Sequence, residues 1–169
     1  GLIGLNAPSG EDVGQLLLAC GASVEQADTL RDRLLDYTDA DSLKRLNGAE
    51  AFEYAAAKLP PPRNQPLLDK REIWQVYGWP AILGSWQSNG CSNAVSLSRS
   101  RQLNLWTAPM QVLQAVGMTP QEAQVAISER EANRGRQLLS PFLLQFRDTH
   151  ETGGLGSTRF AGRSRGAVQ

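Results

Sequence analysis

The chain has 169 residues, 41% of them hydrophobic, with 17 Lys+Arg against 17 Asp+Glu and a single histidine. That length buries one core, or a main domain with a small appendage. The zero balance excludes an overall field that would draw the chain to phosphate backbones or anionic lipid, and the longest apolar run, Leu16 to Cys20, is far short of the roughly 20 residues a bilayer span needs.

The chain begins Gly1-Leu2-Ile3-Gly4, with no initiator Met or leader, which reads as a processed or trimmed start with any anchor lying upstream. Leu5-Asn6-Ala7-Pro8 then leads into a predicted helix from Val13 to Cys20. Gly21 suits the left-handed position just past a helix end. Ser23 is placed to cap the next helix, with Gln26 three residues on completing a capping box. Val24, Ala27, Leu30 and Leu34 recur at helical spacing and predict a packing face.

Leu35-Asp36-Tyr37-Thr38-Asp39-Ala40-Asp41 follows. Asp36, Asp39 and Asp41 either hold a hard cation such as calcium, which takes oxygen ligands, or are solvated acids that end the helix. After a short helix from Glu50 through Tyr54 to Lys58, Leu59-Pro60-Pro61-Pro62-Arg63-Asn64-Gln65-Pro66 cannot be helix or central strand, because each Pro lacks a donor. It reads as an extended connector, with a proline-rich ligand for a partner as the other reading of Pro60, Pro61 and Pro62. A further helix is expected over Lys70 to Val76, capped by Asp69.

From Ala81 to Arg101, turn formers predict a long loop. Four tryptophans, Trp74, Trp79, Trp86 and Trp106, fall between the proline connector and the second repeat of the opening unit. They read as core or, for Trp79 and Trp86 together with the proline connector, as a partner surface. Cys20 and Cys91 either form one disulfide, which needs an oxidising compartment, or stay separate thiols.

Leu105-Trp106-Thr107-Ala108-Pro109 and the segment after it repeat the opening unit. Gly117 ends a helix starting at Met110, Thr119 caps the next, Pro120 takes its first position and Glu122 completes the box. The chain is therefore read as mainly α, with helix-turn-helix repeats near 5–36 and 103–131. Helix, glycine turn and helix also describes the helix-hairpin-helix DNA-binding module, which is the rival reading. Against it, Ser23 and Thr119 stand where that motif has its second glycine, and acids predominate up to Ala57, with the basic surplus coming later and ending in Arg159, Arg163 and Arg165.

Residues 1–150 are expected as the helical domain. Leu138 to Phe146 has apolar residues enough for a short helix or strand, and 151–169 is expected as a flexible Gly-rich tract, Gly153-Gly154-Leu155-Gly156, and a strand whose sheet is incomplete. The only histidine, His150, has no partner for catalysis, and the glycines lack the Lys, strand and helix of a phosphate loop. No enzyme is predicted.

Taken in order, Leu5-Asn6-Ala7-Pro8, the acidic run ending at Asp41, Gly48-Ala49-Glu50 with Tyr54, Pro62-Arg63-Asn64-Gln65-Pro66-Leu67, Glu72 with Gly78, and Asn104 to Pro109 resemble the minor pseudopilin K family of type II secretion. Trp106 departs from it, standing where relatives tend to have a polar residue. The resemblance implies a pilin-like periplasmic head with a large helical insertion, anchored in the bacterial inner membrane by an N-terminal helix that this sequence lacks. It implies 151–169 as a returning strand of the pilin-like sheet, I-type and J-type minor pseudopilins as partners, and a place at the pseudopilus tip. Some relatives bind calcium, which keeps Asp36, Asp39 and Asp41 in view as ligands. Nucleic acid is not expected as a partner.

Overall fold

The computed structural model describes residues 1–133. Expectations for Leu138 to Phe146, for His150, for the Gly153 to Gly156 tract and for a strand within 151–169 lie outside the described residues. The described part is mainly helical: β1 (Ile3–Gly4), α1 (Glu11–Ala19), α2 (Val24–Thr38), α3 (Ala51–Ala56), α4 (Leu83–Ser88), β2 (Val95–Ser96), α5 (Met110–Ala115) and α6 (Pro120–Ala132), with short 3-10 helices at Lys70–Gln75, Trp79–Ile82 and Cys91–Asn93.

The corner between α1 and α2 is built from backbone hydrogen bonds. Ala22 N–H donates to Leu17 O and Gly21 N–H to Leu18 O, both at 3.0 Å, which satisfies carbonyls that the helix end leaves orphaned. Gly21 has φ +92° there, a conformation a side chain disfavours. Ser23 Oγ then accepts from Gln26 N–H and Gln26 Oε1 from Ser23 N–H. The corner between α5 and α6 has the same bonds: Met118 N–H to Leu113 O, Gly117 N–H to Gln114 O, and the Thr119–Glu122 capping box.

Apolar faces bring these pieces together. α1 packs on α2 and on α5, and α5 packs on α6, around a core that includes Leu16, Leu17, Leu30, Leu34, Val112, Leu113, Ala123 and Ala126. Val24, predicted to share the packing face, is instead 67% exposed, at the first position of α2. β1 and β2 pair in parallel, Ile3 opposite Val95, tying the N-terminus to the second half of the chain.

The predicted long loop over 81–101 is corrected. Two short helices and β2 occupy it, with Trp86 and Cys91 buried beneath them. A disulfide joins Cys91 to Cys20, with Cα atoms 6.3 Å apart, so the segment is held to the end of α1. Asn89 reinforces the join by donating from Nδ2 to Cys20 O at 2.8 Å.

Candidate functional site

Trp79 and Trp86, read from sequence as core or as a partner surface, are core residues at 0% and 2% exposure. Their rings meet edge-on, centroids 5.4 Å apart, and Trp79 Nε1–H donates to Leu30 O at 3.0 Å. With its one polar atom satisfied, the indole is buried without an unpaired donor. Neither side chain offers area to a partner.

The connector does face outward in part. Pro60 and Pro61 are exposed and Pro62 is half-buried. Its downstream end is pinned. Asn64 N–H donates to Tyr37 O and its Nδ2 to Asp41 O; Arg63 pairs with Glu72 at 2.6 Å. Asn6 clips the far end, with Leu67 N–H donating to Asn6 Oδ1 at 2.8 Å while Asn6 Nδ2 donates to Leu67 O and Leu97 O.

Beside the connector lies a surface that the sequence reading missed. α3 buries Tyr54, whose ring lies between those of Tyr37 and Tyr77 in tilted contact and whose hydroxyl accepts from Tyr77 N–H at 2.9 Å; burial pushes that hydroxyl up to about 12. The opposite face of the same helix is apolar. Phe52, Ala55 and Ala56 stand at helical spacing on it and Leu59 follows just past its end, all exposed, with Phe52 at 79%. A Lys44–Glu53 ion pair at 2.6 Å brings the preceding loop alongside, and that loop exposes Leu43 and Leu46 at 78% and 93%. A surface helix normally turns such a stripe inward, and contiguous exposed apolar side chains mark contact surfaces. The only sequence signal was the excess of apolar residues in a helix of barely two turns.

The acids at the end of α2, read from sequence either as cation ligands or as solvated acids ending the helix, are engaged by an arginine. Arg45 Nη1 lies 2.6 Å from Asp36 Oδ1 and 2.5 Å from Asp39 Oδ2, so a guanidinium fills the space between those carboxylates. Asp41 turns away and accepts from Leu43 N–H. No group of three or more ligating side chains among the described residues is placed to hold a metal. Desolvation raises the Asp36 carboxyl above its ordinary value, against the lowering pull of Arg45. Glu50, 7% exposed, is also raised, first by burial and then by Asp36, Asp39 and Asp41.

A cleft of about 160 Å³ opens beside the disulfide between Leu17, Cys20, Ala22, Gln26, Ile82, Ser85 and Trp86. It contains no acid or base, and Ser85 Oγ–H is used on Ile82 O. The glycine corners lack the chemistry of a phosphate site: residues 20–27 and 116–123 contain no Lys or Arg and present Glu25 and Glu122 instead. A phosphate backbone approaching either corner meets a carboxylate. No helix among the described residues is long and apolar enough to cross a membrane.

Residues 5–83 match the family described as type II secretion system (T2SS), protein K. No curated protein matches the chain.

Proposed function

Because residues 5–83 belong to the type II secretion system protein K family, and the chain therefore has a role in type II secretion, we propose that it is a structural subunit at the tip of the pseudopilus. In this reading it is a minor pseudopilin that joins I-type and J-type subunits to start or cap the filament, and it performs no catalysis. The described helices form its insertion domain, with the α1–α2 and α5–α6 corners as two copies of one packing unit, and residues 151–169 return to a pilin-like sheet. The subunit works in the periplasm, held to the inner membrane by an N-terminal helix.

The observation that carries this reading is the outward apolar face of α3 and its loop. A subunit that only filled space would gain nothing from exposing Leu46 and Phe52, whereas burying them against a neighbour contributes about 25 cal/mol per Å² of apolar area. Pro60 and Pro61 extend the face as a stiff ridge that loses little entropy on docking. The oxidised Cys20–Cys91 pair suits an oxidising compartment such as the periplasm.

The test is co-purification of the chain with I-type and J-type subunits from the same bacterium. The wild-type chain is expected in a three-part complex. Leu46→Asp/Phe52→Asp, which alters only exposed side chains, is expected to fold and to be missing from it. Full retention of that variant would remove α3 as the contact, and absence of any complex, while the I-type and J-type subunits bind each other, would overturn the tip assignment.

A further inference from the structure

Arg31, Arg45, Arg63, Arg71 and Arg101 each meet a carboxylate, and Arg130 donates to the carbonyls of Trp106 and Ala108. Arg33 meets no carboxylate among the described residues; its one hydrogen bond there, from Nη1 to Tyr77 O, is long at 3.4 Å. Its Nε is buried with no acceptor. Arg99 has no acid either, but it is exposed and water solvates it. A buried donor left unpaired is destabilising, so folding alone does not favour Arg33 where it stands.

The guanidinium is nevertheless fixed. Its central carbon lies 4.4 Å from the centroid of the Tyr77 ring, a cation–π distance. Gly78, at φ +86°, leaves room for it, since a Cβ there would collide with Arg33 Nη1. The Tyr77 ring leans on Tyr54, centroids 5.9 Å apart, which joins the arginine to the helix that exposes Phe52. Nη2 makes no hydrogen bond to a described residue and, unlike Nε, is not sealed from solvent. We propose that Arg33 is a preformed receptor for a carboxylate on a neighbouring protein subunit, with the Tyr77 ring fixing the guanidinium in advance of docking. An acidic side chain at Nη2 supplies the charge the site lacks through a charge-assisted hydrogen bond, and arginine with tyrosine is the chemistry in which interfaces concentrate binding energy. α2 carries Glu25, Asp28, Asp32 and Asp36 against Arg31 and Arg33, which favours a single carboxylate over the repeated charges of a nucleic acid. The receptor rests on the tip reading only for which subunit carries the acid.

Titration of the whole chain with N-acetylglutamate, and with N-acetylglutamine as the neutral control, tests the receptor without any partner. At low salt, wild type is expected to show saturable nitrogen-15 NMR shifts at Arg33 Nε–H and at the Tyr77 and Gly78 amides with the acid alone, and Arg33→Met to show none. No response to the acid, an equal response to the amide, or a response that Arg33→Met keeps would each overturn the proposal. Binding to the I-type and J-type pair then tests the role. Arg33→Met is expected to bind about 10-fold more weakly, with an unfolding midpoint equal to or above that of wild type, because the unpaired donor is gone. Unchanged affinity would overturn the assignment to a subunit interface, and weaker binding with a lower midpoint would mark Arg33 as structural. If wild type forms no complex, the tip assignment fails while the N-acetylglutamate titration still decides the receptor.

Discussion

Trp79 reaches from a 3-10 helix into α2, its indole N–H donating to the Leu30 carbonyl at 3.0 Å while its ring meets Trp86. This one side chain fastens the segment after the proline connector to the helix before it. Trp79→Phe, which keeps most of the volume and removes the donor, is expected to lower unfolding stability by about 1 kcal/mol. Trp86→Ala is expected to cost about 3–5 kcal/mol through the cavity it leaves. Urea denaturation of the three proteins measures both, and equal midpoints would show that neither ring anchors the fold.

The disulfide closes a sequence separation of 71 residues. A loop of that length restricts the unfolded chain by about 4 kcal/mol in the chain-entropy description. Cys20→Ala/Cys91→Ala, or the wild type under reductant, is therefore expected to unfold at a much lower denaturant concentration, with both treatments giving the same midpoint.

Glu53 is held at about 2, first by the Lys44 ammonium and then by the Glu50 backbone N–H. For a carboxylate depressed in the folded state, the stabilisation is fully present above its ordinary value of 4.5 and is lost as pH falls through about 2. Glu53→Gln should be the less stable protein at pH 6, with the gap closing in strong acid. Following the Glu53 side-chain carboxyl carbon by NMR gives the midpoint directly; an ordinary glutamate titration would show the ion pair to be absent in solution.

Lys58 occupies φ +57° at the end of α3, where Leu59 N–H donates to Tyr54 O and Lys58 N–H to Ala55 O. These are the bonds that Gly21 and Gly117 serve elsewhere, here made by a residue with a Cβ. Lys58→Gly should raise stability by about 1 kcal/mol, whereas Gly117→Ala, with open space around its Cβ but φ +103°, should lower it by a similar amount. Paired denaturation curves decide whether backbone strain alone sets the sign.

The capping at Ser23 and Thr119 is readable in the sequence because it is local: a glycine, a hydroxyl two residues on and a Gln or Glu three later specify their own hydrogen bonds. Pairing of Ile3 with Val95 is not, since two residues carry no strand period and their partner lies across most of the described chain. Ser85 to Asn93 reads as loop by composition; its short helices are held by burial of Trp86 and by the bond to Cys20, which composition does not encode. The same limit misplaced the candidate site. Trp79 and Phe52 are both aromatic residues amid small ones, and only the packing of Tyr54 against Tyr37 and Tyr77 shows which of them faces outward. Arg45 looks like a surface base until Asp36 is seen to be fully buried.

The Cys20–Cys91 bond reaches past Leu83, the last residue of the family match. β1 finds its partner strand beyond the same point, and α1 rests against α5. Grafting residues 5–83 alone into a homologous subunit would thus leave Cys20 a lone thiol and strip one flank of α1. An exchange between two secretion systems would have to carry the polypeptide onward through α6 as a single inheritance.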